Sequence, residues 1–238
     1  MRPENLLFID IETVSMSATY EELSEKMKAL WDKKSQLLDK EQTDTAASYT
    51  EKAGIYAEFG KIVCIGLGYF TMVEDNYHLK VKSIYGQDEK SILLAFKEVC
   101  DTFFKRSEKQ FCGHNIREFD IPYLCRRAII QQVPMPTILE ELQTKKPWEN
   151  PVLDTMQYWK FGEYKHFTSV DLLATILGIE SPKGDMDGSE VGQVYWQEKN
   201  LERIVQYCNK DIVTVAQLWL RLSGLPLLKE YDIDIINH

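Results

Sequence analysis

Three acidic clusters, far apart in the chain, carry residue types suited to metal-assisted hydrolysis. Asp10 and Glu12 close the opening apolar run in Phe8-Ile9-Asp10-Ile11-Glu12-Thr13. Asp120 lies in Gly113-His114-Asn115-Ile116-Arg117-Glu118-Phe119-Asp120-Ile121-Pro122-Tyr123-Leu124, and Asp211 ends Tyr207-Cys208-Asn209-Lys210-Asp211. Carboxylates are the hard oxygen ligands magnesium takes, one or two at a time, with water and phosphate completing its shell. Held on rigid elements, such groups suit two ions about 4 Å apart, which lower the pKa of an attacking water and stabilise the attacking and leaving oxygens of a phosphodiester.

Each cluster also has a plainer reading. Asp10 and Glu12 are two apart, so on a strand both point to one side and can address neighbouring ions. The other reading is a strand end with Thr13 as a helix cap, yet an acid pair directly after a buried run is costly unless paired or metal-bound. Asp120 opens a helix, where the dipole favours an acidic cap as readily as a ligand role. Tyr207 and Asp211, at i and i+4, share a helix face, as residues on many helix surfaces do. His114 reads as structural. Asp154 reads as a cap for Thr155 to Trp159, with a supporting role near the acids left open. Asp185-Met186-Asp187-Gly188 reads as a tight turn, because the later ligands of a calcium loop are missing.

In this order, the three clusters resemble the DEDD 3′→5′ exonucleases in their tyrosine-containing variant. The likeness is greatest to the proofreading exonuclease domain of family-B DNA polymerases, here without a polymerase. It runs from about residue 5 to residue 220. The resemblance implies an RNase H-like α/β fold, a central mixed β-sheet flanked by helices. It implies removal of nucleoside monophosphates from 3′ ends of single-stranded DNA with two divalent ions, Mg2+ or Mn2+. Asp10 would bridge both ions, Glu12 would bind one, Asp211 would bind the first, and Asp120 would hold the second largely through water. Tyr207 would orient the attacking water, a role that a phenol with an ordinary pKa near 10 fits better than full proton abstraction. Ile11, Thr13, Val14, Asn115, Phe119 and Tyr123 match substrate-contacting positions, Asn115 and Phe119 those at the terminal nucleotide. Histidine-type relatives carry their base in the third cluster, where this chain has Tyr207. Tyrosine-type enzymes also include RNA-trimming exonucleases, which is a second reading. A non-catalytic nucleic-acid-binding module is a third, although all four carboxylates and the tyrosine are present.

The elements that must position these residues follow from periodicity. Leu6 to Asp10 suits a buried central strand. From Tyr20 to Lys40, apolar residues recur at spacings of three and four, the pattern of an amphipathic helix; it could clamp substrate, bind a protein partner, or be decoration. A polar stretch, Glu41 to Thr50, and a helical piece around Ala53 to Phe59 follow. Residues 18–59 thus form a helical insertion after the first strand of one domain spanning 1–238. Ile62 to Phe70 and Tyr77 to Ile84 read as strands joined by Glu74-Asp75-Asn76, and Phe111 to Gly113 as a brief strand. Ser91 to Phe104, Ile121 to Gln131, Ser169 to Leu177 and Leu201 to Leu222 read as helices, with Gly178 as a left-handed cap. Ser181 to Gly192, rich in glycine, reads as a mobile loop. Lys160 to Phe167 mixes aromatics with cations, as single-stranded DNA grooves do, or is an ordinary loop. Strands first, then strands alternating with helices, predict an α/β sheet.

The bulk properties set bounds. The 238 residues, 44% apolar and 27% charged, suit one large globular domain or two small ones. No apolar run is long enough to span a bilayer, the first residues lack a signal-peptide core, and five scattered cysteines read as reduced thiols. The expectation is a cytoplasmic protein with no membrane partner. A net charge of −9 opposes a polyanion; two divalent ions would offset about four of those charges, and a footprint of few nucleotides would fit the rest.

Overall fold

A single long strand, β1 (Leu6–Ser15), lies inside a six-stranded mixed sheet. The computed structural model describes residues 2–38, 44–106, 108–146, 149–164, 167–179 and 186–236. The other strands are β2 (Gly60–Val73), β3 (Asn76–Tyr85), β4 (Gln110–Gly113), β5 (Val152–Asp154) and β6 (Ile233–Ile235), in the order β5-β4-β1-β2-β3-β6. The β1–β2 and β2–β3 pairs are antiparallel, while β4 runs parallel to β1, β5 to β4 and β6 to β3. The helices are α1 (Glu25–Leu38), α2 (Thr45–Lys52), α3 (Glu89–Phe103), α4 (Asp120–Gln131), α5 (Thr137–Glu140), α6 (Thr155–Lys160), α7 (Val170–Ile176), α8 (Val191–Gln193) and α9 (Leu201–Leu222). This is the α/β, RNase H-like arrangement expected from the sequence. No helix among the described residues is long and apolar enough to cross a membrane.

Strand alternation assigns each face of β1 its layer. Leu7, Ile9 and Ile11 pack with Ile92 and Phe96 of α3 and with Leu124 of α4. Leu6 and Phe8 pack with Ile212, Val215 and Trp219 of α9. Each such side chain contributes roughly 1.5–3 kcal/mol on burial. The even-numbered face therefore turns Asp10 towards α9, and β1 runs on to Ser15 instead of ending at Asp10. Two glycines of β2 let α9 come close. A Cβ on Gly66 would sit 2.7 Å from Cys208 Sγ, and one on Gly68 would sit 2.6 Å from Ile212 Cγ2.

The segment after β1 differs from expectation in detail. One 3-10 turn, Tyr20–Glu22, precedes α1, whose start is set by Ser24 Oγ accepting from Met27 N at 3.3 Å. The stretch expected to be merely polar contains α2, capped by Asp44, and the expected helix at 53–59 is one 3-10 turn, Ala53–Ile55. What fixes this segment is aromatic. Trp31 and Tyr49 are fully buried, edge to face at 5.4 Å, and the Tyr49 hydroxyl accepts from Ser17 N. Within Ser181 to Gly192, residues 181–185 lie outside the described residues. The remainder is not a loop: Asp187 and Glu190 form a capping box on a 3-10 turn that leads into α8. The β2–β3 turn places Glu74 and Asp75 at φ 48° and 64°, the left-handed pair that suits strand twist. Gly178 takes its expected left-handed conformation, φ 65°.

A buried ion pair ties α3 and α4 to the sheet. Arg127 Nε donates to Glu89 Oε1 at 2.9 Å, and its Nη1 donates to Ala57 O at 2.8 Å. Glu89 Oε1 also accepts from Ile62 N at 2.8 Å. Removing one partner leaves a buried charge uncompensated. Arg127→Met should therefore lower unfolding free energy by about 3–5 kcal/mol, and Arg127→Met with Glu89→Leu should recover much of it. A denaturant double-mutant cycle reads this directly; additive losses would show that the two charges are not coupled.

Candidate active site

The two sequence periods converge under α9. Asp10 and Glu12 come from β1, and Cys208 sits above them, its Sγ 3.6 Å from Asp10 Oδ2. One ligand atom each from Asp10, Glu12 and Cys208 lie within 4.8 Å of one another. Tyr207 and Asp211, one turn apart, share a hydrogen bond between phenol and carboxyl, and both act electrostatically on or feel the β1 acids. Gly188, just before α8, faces the Tyr207 hydroxyl, which a Cβ there would approach to 3.8 Å. Asp120 arrives from the other edge. Strand β4 pairs only with Leu6 to Phe8, so β1 runs on without a strand partner there, and Asp120 Oδ1 accepts from Ile11 N at 3.1 Å.

The turn ahead of Asp120 is held by Asp154. Its Oδ1 accepts from Asn115 N and its Oδ2 from Arg117 N, both at 2.9 Å. The same carboxylate caps α6 through Met156 N at 2.9 Å. Cap and supporting role thus belong to one side chain. His114 is a strut: Nε2 lies 2.8 Å from Thr168 O and Nδ1 lies 2.9 Å from Thr155 Oγ1. Burial pushes its pKa down, so the ring is neutral at physiological pH. Asn115 adopts φ 64°, which asparagine tolerates better than most residues. Its Oδ1 is buried without a hydrogen-bond partner among the described residues.

Asp10, Glu12, Asp120, Tyr207 and Asp211 are therefore brought together, and half-buried Phe119 directly precedes Asp120. The side chains of Ile11, Val14 and Tyr123 are not at the surface: they are packed in the core, and the Tyr123 hydroxyl is committed to Gly54 O at 2.8 Å. Their main chain is engaged as well: Ile11 N donates to Asp120, Ile11 and Val14 lie in the β1–β2 register, and Tyr123 N donates to Phe119 O at the head of α4; Thr13 is half-buried. Sequence reasoning treated Cys208 as an ordinary core thiol. Its place one turn before Asp211 on the same helix face was the available signal.

The forces on the acids are mostly repulsive. Burial, then Asp120 and Asp211, raise Asp10 well above the usual carboxylate range; burial, then Asp10, does the same to Glu12. Burial pushes Asp120 up to about 7, against the opposing Ile11 N–H, and Asp211 up to about 6, against the Tyr207 hydrogen bond. Buried, clustered, hard oxygen donors with like charge fit divalent Mg2+ or Mn2+, whose charge would cancel both costs.

The sign of the pH effect follows. Carboxyls raised on folding stabilise the metal-free fold in their protonated form, a contribution complete below the ordinary value of 3.8 and lost as pH rises through about 6 for Asp211 and about 7 for Asp120. With chelator present, melting temperature should fall between about pH 4 and 7, and added Mg2+ above that range should restore it. Thermal melts that stay flat over this range and ignore Mg2+ would contradict the electrostatic description.

A family model described as a predicted 3′-5′ exonuclease related to the exonuclease domain of PolB matches residues 55–226. No curated protein matches. The matched segment carries Asp120, Tyr207 and Asp211, while Asp10 and Glu12 lie ahead of it on the strand that pairs with β2. The match covers more than half of the chain, and the protein belongs to this family of predicted 3′→5′ exonucleases related to the PolB exonuclease domain.

Proposed function

We propose that this protein is a tyrosine-type, two-metal 3′→5′ exonuclease that shortens single-stranded DNA from its 3′ end and releases nucleoside monophosphates. Residues 1–238 belong to one exonuclease domain in this reading, with 18–59 as a helical insertion. The observation that carries this reading is the convergence of Asp10, Glu12, Asp120 and Asp211 on one buried spot beside the Tyr207 hydroxyl. Asp10, Glu12 and Asp211 would hold one ion, and Asp10 with Asp120 a second. Bound there, Mg2+ or Mn2+ supplies the positive charge that the attacking and leaving oxygens of a phosphodiester require.

The chain's own groups do the rest. Burial and the neighbouring carboxylates raise the Tyr207 phenol far above its usual value, so it stays protonated and orients the attacking water instead of taking its proton. Asn115 carries a buried amide oxygen with no partner among the described residues, an unmet acceptor that a small side-chain shift would bring to the terminal nucleotide. Phe119, half-buried at the head of α4, offers a ring for the terminal base.

Incubating 5′-labelled and 3′-labelled DNA and RNA strands with and without Mg2+ tests the reading. A ladder shortened from the 3′ end of DNA, only with metal, is expected; equal or faster trimming of RNA would move the protein to the RNA-processing branch. Asp10→Asn should abolish digestion while leaving the metal-free fold at least as stable, because one repelling charge is gone. Near-native digestion by that variant would refute the site. Tyr207→Phe should lower the single-turnover rate by about a hundredfold at nearly unchanged melting temperature. A purely structural tyrosine would show the reverse, a normal rate per folded molecule and reduced thermal stability.

A further inference from the structure

Four aromatic side chains lie exposed within ten residues at the end of α6 and beyond it. Tyr158 is 52%, Phe161 84%, Tyr164 96% and Phe167 66% exposed. Single exposed apolar residues are ordinary, but a group this dense is not. The chain turns out of α6 here through two left-handed residues. Phe161 caps α6 at φ 46°, followed by Gly162 at φ 90°, and a left-handed conformation in a bulky residue is uncommon and uphill. The Lys160 ammonium, itself buried, lies 4.3 Å from the centre of the Phe167 ring and 3.9 Å from Glu118. Lys165 and His166, the other cations of this stretch, lie outside the described residues.

The group is continuous with the candidate active site on both sides. Gln157 Nε2 and Lys160 both reach Glu118, which is part of the second acidic cluster. Asp154, which caps α6, holds Asn115 and Arg117, and the strut from His114 ends on Thr168, next to Phe167. Asp171, in the first turn of α7, is near enough to Asp211 to raise its carboxyl. The aromatic segment therefore leads from the second cluster towards the third.

We propose that Tyr158, Phe161, Tyr164 and Phe167 form a stacking platform for the unpaired bases just upstream of the 3′ end held at Asn115 and Phe119. This deepens, and rests on, the exonuclease reading. The chemistry of the rings and their place beside the second cluster select the occupant. A net charge of −9 weakens long-range attraction to a polyanion and so favours contacts that need no cation. Stacking needs no cation, tolerates any base because every base has a π-face, and requires the strand to be single.

The test measures fluorescence anisotropy of 5′-labelled oligothymidylates of two and of ten nucleotides, with calcium in place of magnesium. The wild-type protein should bind the ten-mer more tightly than the dinucleotide. Phe161→Ala with Tyr164→Ala should weaken ten-mer binding at least about thirtyfold, the loss of two stacked bases, and leave dinucleotide turnover in Mg2+ unchanged. Both residues are exposed, and circular dichroism checks that the variant is folded. Equal ten-mer affinity in the two proteins overturns the platform. Failure of the wild type to prefer the ten-mer overturns it too, including the case in which sedimentation shows the patch joining two copies of the chain. A platform that behaves as described in a protein that cleaves no strand with Mg2+ or Mn2+ leaves the inference standing and sinks the nuclease reading alone.

Discussion

Carboxylates of like charge, drawn into one largely buried seam between a strand and a helix, are the constraint around which this structure is arranged. Asp10 and Glu12 lie under α9, Asp211 comes down from it, and Asp120 enters from the head of α4. Burial and mutual repulsion both oppose their ionised forms, so the seam is a local liability until cations reach it. Apolar packing elsewhere offsets it, and that packing is concentrated on the same elements. Strand β1 is buried on both faces, and the 22-residue α9 sets Ile212, Val215, Trp219 and Leu220 against the sheet. A cluster whose members repel one another holds its shape only on elements that cannot part, which a central strand and a long packed helix supply and loops do not.

Fine adjustment comes from groups that take no part in chemistry. Gly66 lies opposite Asp10 in the β1–β2 register, and its missing side chain is what allows the Cys208 turn of α9 down onto the strand. Asp154 holds the second cluster by two backbone N–H groups while capping α6 with the same carboxylate. The Glu89–Arg127 pair fixes α4 from behind, and so the position at which Asp120 leaves the sheet edge. The site's precision thus rests on one glycine, one cap and one buried ion pair, each acting through backbone position.

Much of this was legible in the chain because it follows local periods. Alternation in Leu6 to Glu12 placed both acids on one side of a strand, and the i, i+4 spacing of Tyr207 and Asp211 placed them on one helix face. What escaped was non-local. Thr45 to Lys52 offers one large apolar residue, Tyr49, and becomes α2 through its contact with Trp31, fourteen residues earlier as measured from the Thr45 carbonyl. The three-residue β6 exists only because Leu79 to Val81 present an open edge to it. Cys208 looked like filler although its place one turn before Asp211 pointed to the site, and Asp154 read first as a cap, since nothing in its neighbours' spacing says that one carboxylate serves two segments. The commitment of the Tyr123 hydroxyl to Gly54 likewise depends on a turn 69 residues away.

The reach of these contacts has a consequence for synthesis. Cys208 meets Asp10 across 198 residues, and Asp120 meets Ile11 across 109. A ribosome adding about 5–20 residues per second delivers β1 roughly ten to forty seconds before α9. Through that interval the β1 acids face water, ionised and apart from their partners, and contacts of such sequence separation form late in folding. Two of the clustered acids, Asp10 and Glu12, are therefore made early and joined by their partners late. The growing chain passes its time beside the ribosome's own RNA before the acid cluster has closed.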